Sequence, residues 1–448
     1  MPRLMILSHG HPALSHGGAE MAAFAIHSLV KQGKMPGWNS IFVARADRQH
    51  IGHDGDFGAF RRNPDEILVA PPAVEPFFFH SFDPSRLFAL LDELVDRFKP
   101  DVVHAHHFSF WGTDIFEYFK ARNIPLVFTL HEYISICHRF GQMLKVNGRL
   151  CHRSSPVECN QCFPDISSGF FFLRDELFLK PLRLASAVVS PSQFLAQRVE
   201  TWSGGSIPVR VIENPRDVSV YEPPHNASTH DSAGRGIPQI GYFGQINHFK
   251  GTEVLLDAAA ILKSRGAPFR VRLFGANLNI QESAFRERMT AKLEALGDCV
   301  EFFGPYQNET VIRLMSGCDA IVIPSIWWEN SPVVIQEAIQ AGVSVFGSRL
   351  GGIEEKLQSY PHAEFFEPGS AIDLAEKLQA FCLNERSQAS GQIAPDVSQG
   401  EMAHLSALAH LYESTLAVPE NRASLDESQI VARPRRPAAA SRRNALQK

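Results

Sequence analysis

PSIWWENSPVVIQEAIQAGVSVFGSRLGGIEE, residues 324–355, decides how the chain is read. It leaves a short apolar run, Ala320 to Pro324, that reads as a strand, passes through a helical pattern from Val333 to Gln340, and enters a second strand-like run from Val343 to Gly347. Asn330 is suited to cap the helix and Pro332 to its first turn, so the amides around Ser331 point outward as an anion site. Glu329 precedes that turn and Glu337 lies about two turns on, inside the helix. The layout lets one carboxylate accept from sugar hydroxyls, the amides hold a diphosphate, and the second carboxylate take a diol such as ribose. A capped surface helix is the plainer reading of two glutamates alone. The preceding Pro-Ser, the apolar VVI and the downstream GSRLGGIEE weigh against it.

Outward from this run, the same strand, turn and helix alternation repeats, which predicts parallel sheets covered by helices. Before it come strands at Gln239 to Phe243, Arg270 to Phe274 and Val300 to Phe303, with a helix from Thr252 to Ser264. In the N-terminal half, strands are expected at Leu4 to Ser8, Ser40 to Val43, Val102 to His106, Leu126 to His131 and Ala187 to Val189, with helices at Glu20 to Leu29 and Pro84 to Phe98. The stretch PPHNASTHDSAGRGIP, 222–237, has the composition of a linker. The chain therefore divides into a Rossmann-like domain over 1–215 and a second over 238–385, with a helix at 401–417 and a disordered tail from 419 to 448. Ligands of such sheets sit at the carboxyl ends of the strands, which places the chemistry in a cleft between the domains.

Composition bounds the function. With 448 residues, 44% hydrophobic and 20% charged, the chain has apolar material for more than one core. A net charge of -5 gives no overall pull toward nucleic acid. No apolar run approaches the roughly 18 to 20 residues of a spanning helix. Seven cysteines, an odd number with no leader-like start, favour a reducing compartment, and a cytoplasmic location is expected.

With these residues in view, the chain resembles the family 4 retaining glycosyltransferases of GT-B fold, over nearly its whole length from residue 3 to about 417. The family's Glu-x7-Glu is matched by Glu329 and Glu337, and its Gly-Gly-x-x-Glu turn by Gly351, Gly352 and Glu355. GYFGQINHFKG, 241–251, resembles the family's Gly-Arg-Leu-x-x-x-Lys-Gly, in which Arg and Lys neutralise the donor diphosphate. Gly244, Lys250 and Gly251 fit, but Gln245 stands in the Arg position and supplies a hydrogen bond in place of a charge. Gly17 and Gly18 match the glycine loop, where bare backbone approaches donor phosphate or acceptor. His131, in TLHEY, matches the histidine beside the transferred sugar. His104 and His106, on one strand face in DVVHAHH, are read as buried or cleft-lining, with no carboxylate partner for a metal.

The resemblance implies a metal-independent transfer of a sugar from a nucleotide diphosphate-sugar to an acceptor hydroxyl with retention, no cofactor being required for catalysis. Glu329 would contact the sugar, Glu337 the ribose and Lys250 the diphosphate. The final helix would return to the first, acceptor-binding domain. A role in cell-surface polysaccharide or glycolipid assembly follows, with a saccharide or lipid-linked saccharide as acceptor and no nucleic acid partner. A nucleotide-sugar epimerase of the same fold and a non-catalytic, zinc-stabilised binding protein are the alternatives.

One insertion stands apart. Cys137, Cys151, Cys159 and Cys162 fall in the segment 137–162 and can supply four thiolates to a tetrahedral structural zinc; free thiols or disulfides are the other readings. The following stretch, SGFFFLRDELFLKPLRLASAVV, reads either as a core helix or as an interfacial one in peripheral contact with the inner membrane face.

Overall fold

The structure, a computed structural model, describes residues 1–15, 17–51, 55–222, 236–383 and 398–417. Most of the linker expected at 222–237 and all of the tail from 419 lie outside the described residues.

The chain builds two sheets. In the first, β1 (Arg3–Ser8), β2 (Asn39–Arg45), β3 (Phe57–Ala59), β4 (Glu66–Val69), β5 (Val102–Ala105), β6 (Leu126–Thr129), β7 (Ala187–Ser190) and β8 (Val209–Val211) run in the order β3-β4-β2-β1-β5-β6-β7-β8. Every pairing is parallel except β3 with β4. The second sheet holds β9 (Gln239–Phe243), β10 (Arg270–Phe274), β11 (Val300–Gly304), β12 (Ala320–Ile323), β13 (Ser344–Ser348) and β14 (Ala363–Phe366) in the order β11-β10-β9-β12-β13-β14, all parallel. Helices cover both faces, so the central strands are buried throughout: every residue of β5, β6 and β12 is buried, and all but His104 and Thr129 are apolar.

Chain direction along each sheet reverses between β1 and β5 and between β9 and β12. At such switch points neighbouring loops diverge and leave a crevice outside the carboxyl ends of the strands. The first sheet packs one face on Leu87, Leu91, Phe116 and Phe178, the other on Ala23, Ile26 and Leu29. That second face also receives the final helix, Ser398–Ala417, through Leu405, Leu408, Leu411 and Tyr412.

The helix Ser168–Leu184 is amphipathic in an irregular way. Phe171, Phe178, Leu179 and Leu182 are buried, and so is Arg174, whose guanidinium donates to the carbonyls of Phe77, Ile134 and Ser135. Phe170, Phe172 and Leu173 on its other side face solvent. No helix among the described residues is long and apolar enough to cross a membrane.

Candidate active site

The site is built from loops that leave the two switch points. In the second domain, β12 ends at Ile323 and the chain turns through Pro324 to Pro332 before the helix Val333–Ala341. The turn packs tightly against glycines. A Cβ on Gly251 would lie 1.8 Å from the Pro324 carbonyl oxygen, and one on Gly352 would lie 1.5 Å from that of Asn330. Only bare backbone fits there, so the Lys-Gly and Gly-Gly pairs hold Lys250 and Glu329 in place.

Glu329 is buried, and three donors converge on its Oε1: Lys250 Nζ at 2.6 Å, Ser325 Oγ at 2.7 Å and Trp327 Nε1 at 2.9 Å. Burial works against its ionisation, but the charge and hydrogen bond of Lys250, with the other two donors, hold its carboxyl below the usual range. Glu329 is thus a carboxylate with its second oxygen free of these contacts. Glu337, also buried, has a different setting. Burial pushes its carboxyl above the usual range against the pull of Arg216, and among the described residues its Oε1 is met only by the Tyr221 hydroxyl, at 3.4 Å. Glu337 lacks the strong partner a settled structural carboxylate would have.

Asn330 does not cap the helix. Pro332 occupies the cap position, and among the described residues no side chain caps the first-turn amides. The Asn330 amide instead reaches the first domain, donating to the His131 carbonyl at 3.2 Å and accepting from the Ser192 hydroxyl. Ser331 Oγ donates to Glu213 at 2.7 Å, and both Glu355 oxygens cap the helix Gln193–Trp202 by accepting from the amides of Gln193 and Phe194, each at 2.7 Å. The side chains of Asn330 and Ser331, expected at the ligand, therefore join the domains, as does Glu355 of the Gly-Gly-x-x-Glu turn; of Asn330 and Ser331, the backbone is left for an anion. Gly244, at the end of β9, has φ 150°, and Gln245 beside it is exposed, with Asn247 at 3.5 Å from its Oε1.

The first domain faces this arrangement with a different chemistry. Gly17 caps the helix Gly18–Lys31, and Gly18 approaches Val333, at the start of the donor-side helix. Glu20 folds back over the glycine loop, so that a Cβ on Gly17 would lie 2.2 Å from its Oε2. Its Oε1 accepts from Ser15 Oγ at 2.7 Å and lies 3.2 Å from His9 Nε2. Burial opposes the charge, yet these partners pull the carboxyl down to about 2. A carboxylate thus already stands at this helix N-terminus.

Behind it lie His106, His107 and His131, at or beyond the ends of β5 and β6. Rings of His9 and His107 are 4.4 Å apart, those of His104 and His106 4.1 Å, and those of His106 and His131 5.2 Å. His104 is fully engaged, with Tyr412 Oη at 2.8 Å and Thr129 Oγ1 at 2.7 Å. Burial holds His106, His107 and His131 well below the ordinary imidazole range, so all three are neutral. Glu132, 3.5 Å from His107, is pushed up to about 8 by burial.

The insertion carrying Cys137, Cys151, Cys159 and Cys162 packs against the same region, and Trp328 Nε1 donates to the Cys151 carbonyl at 3.0 Å. All four cysteines are free thiols. As placed, no group of three or more His, Cys, Asp or Glu side chains among the described residues could hold a metal ion. Ser325, Trp327, Glu20 and His9 are site residues that sequence reasoning did not single out. The first two stood in the quoted run, but only the fold turns them onto Glu329.

Two parallel sheets with a charged crevice between them define the GT-B fold. Sucrose-phosphate synthase of Thermosynechococcus elongatus is similar at TM-score 0.64 and 16% identity, over 93% of this chain and 96% of that one. Anabaena HepE, in complex with UDP, is similar at TM-score 0.60 and 17% identity, over 93% and 97%. The model of "Glycosyltransferase Family 4" matches residues 23–220 and that of "Glycosyl transferases group 1" residues 233–393. The chain belongs to the family 4 glycosyltransferases. Among relatives, the D-inositol 3-phosphate glycosyltransferase of Corynebacterium jeikeium is 26% identical over 50% of this chain and 56% of that protein. Its counterpart in Arthrobacter sp. is 22% identical over 62% of each. The chain spans about half the length of the curated relatives it matches.

Proposed function

We propose that the protein transfers a sugar from a nucleotide diphosphate-sugar to an acceptor hydroxyl, with retention at the anomeric carbon and without a metal ion. The observation that carries this reading is the convergence of Lys250, Ser325 and Trp327 on Glu329 at the switch point of the second sheet, opposite the glycine loop. An ammonium has three donors, so Lys250 can keep Glu329 and still bond a diphosphate oxygen. The leaving diphosphate then meets Lys250 and the uncapped amides of the helix Val333–Ala341, while the free Glu329 oxygen receives sugar hydroxyls. Glu337, short of a partner, gains one in a ribose diol. The glycosyltransferase names of the relatives, and UDP in HepE, favour this substrate class.

The acceptor is a saccharide or a lipid-linked saccharide, in cell-surface polysaccharide or glycolipid assembly, and the exposed Phe170, Phe172 and Leu173 offer a peripheral contact with the inner membrane face. The four free thiols fit the reducing cytoplasm. A structural zinc on Cys137, Cys151, Cys159 and Cys162 requires those side chains to turn toward one another. Stoichiometric zinc in the purified protein, lost in Cys159→Ser, supports it; zinc-free protein removes it.

The test of the activity is incubation of the protein with a panel of UDP- and GDP-sugars and saccharide acceptors, with and without EDTA, reading product linkage by NMR. A glycoside of inverted configuration, or epimerised donor with no transfer, overturns the reading.

A further inference from the structure

His106 and His131 share a contact that decides what His131 can do. Nδ1 of His106 lies 2.9 Å from Nε2 of His131. Between two neutral imidazoles one nitrogen must donate and the other accept, and the proton has two arrangements. The surroundings of the outer nitrogens choose between them. Nε2 of His106 is buried and has no hydrogen-bond partner. If His131 donated from Nε2, the single proton of His106 would sit on that sealed nitrogen as an orphaned N–H. In folded proteins buried N–H groups without an acceptor are rarer than under-satisfied acceptors. The reverse arrangement leaves only a lone pair there. Nδ1 of His131, in contrast, is not among the sealed nitrogens and bonds no group within the described residues.

We propose that His106 is a positioning residue that donates from Nδ1 to His131 and so fixes His131 as the Nδ1–H tautomer, a neutral hydrogen-bond donor to the transferred sugar and not a base. The ring of His106 is held for this task between His104, at 4.1 Å, and His131, stacked at 5.2 Å and 24°. The His131 backbone is pinned separately by the Asn330 amide. The sugar-facing role rests on the proposed function above; the tautomer does not.

The experiment is long-range proton–nitrogen NMR on the full chain with nitrogen-15-labelled histidine, the His131 signals being assigned by their loss in His131→Gln. In the wild-type protein the expected pattern is a protonated Nδ1 and a lone-pair Nε2 on His131. In His106→Phe, which keeps a ring but no donor, that pattern collapses to a tautomer mixture; His106→Asn, whose amide replaces the Nδ1–H, restores it. With a donor sugar in hand, His106→Phe lowers kcat about 10-fold at little cost in donor KM, the size of one well-aimed hydrogen bond, and His106→Asn recovers part of it. A wild-type His131 protonated on Nε2 overturns the proposal whatever the activity. A His131 protonated on Nδ1 in a protein whose His131→Gln variant transfers sugar at the parental rate upholds the tautomer and removes the sugar contact instead.

Discussion

The two walls of the cleft solve the same problem, holding polar groups away from water, by opposite means. On the second-domain wall the groups are ionised and paired: Glu329 keeps its charge in a buried place because Lys250, Ser325 and Trp327 surround one oxygen. Deeper in the first-domain wall the groups are neutral: burial keeps His106, His107 and His131 from taking up a second proton, and burial also drives Glu132 toward its acid form. Glu20, at the mouth of that wall, is its exception, ionised by His9 and Ser15. A charged wall suits a leaving diphosphate, whose charge develops during transfer. A neutral, directional wall suits sugar hydroxyls, which need orientation and no field.

This contrast is broken first by removing the charge. Lys250→Ala should lower turnover by on the order of 100 to 1000-fold in folded protein, the usual loss when one donor to a developing anion is removed, and Glu329→Ala, which takes away the carboxylate that holds Lys250 and receives the sugar, should lower it about as much. Steady-state rates with circular dichroism as the folding control check it. Turnover near wild type in either variant would mean that the charged wall does not face the reaction.

Next comes the backbone that holds the charged wall. Gly352→Ala puts a methyl group 1.5 Å from the Asn330 carbonyl oxygen, where backbone and not a flexible side chain must move. A destabilisation of about 3 kcal/mol is expected, read as a fall of several degrees in Tm. An unchanged Tm would show that the turn carrying Glu329 is softer than its packing implies.

Glu337 sharpens the comparison, because it lies on the charged wall and yet its carboxyl is raised like that of Glu132. A carboxyl raised in the folded protein binds its proton more tightly there than in the unfolded chain. Its stabilising share is therefore present below the ordinary value of 4.5 and is lost as pH rises through the folded value. Glu337→Gln, which cannot ionise, should accordingly raise Tm at pH 7.5 and lose that advantage near pH 4, while weakening nucleotide binding in a thermal-shift titration. A lowered Tm at pH 7.5 would mean that the carboxylate is already paired without ligand.

The same contrast explains what the sequence disclosed. Short apolar runs gave ten strands nearly at their observed bounds, most of them because a strand covered on both faces is rich in apolar residues; β11, largely exposed, was read from its apolar residues alone. β3, β4, β8 and β14 went unread: they are three or four residues long, and β3, β8 and most of β14 lack a buried run. On the charged wall, Glu329 and Glu337 stood out because one turn and one helix carry both, and Lys250 because the Lys-Gly pair follows the first strand of that domain. Asn330 was misread as a cap, since its partners Ser192 and His131 lie in the other domain, beyond any local pattern. The neutral wall was hardest. His104 and His106 look alike on one strand face, but His104 is satisfied by Thr129 and by Tyr412, 308 residues away, whereas His106 is left with one empty nitrogen.

That last difference supports the smallest and most selective prediction. Tyr412→Phe removes the hydroxyl 2.8 Å from His104 Nδ1 and leaves that nitrogen unpaired in a sealed place, at a cost of about 1 kcal/mol, which lowers Tm slightly. His104 is fully buried, and its other nitrogen keeps Thr129, so its ring should still hold His106 in place by packing alone. Activity should stay within about 2-fold of wild type, since the bond that sets His131 runs through His106 and not through His104. If Tyr412→Phe instead loses as much kcat as His106→Phe, the final helix is coupled to the chemistry through the whole imidazole stack, and the neutral wall extends from His131 to the far end of the chain.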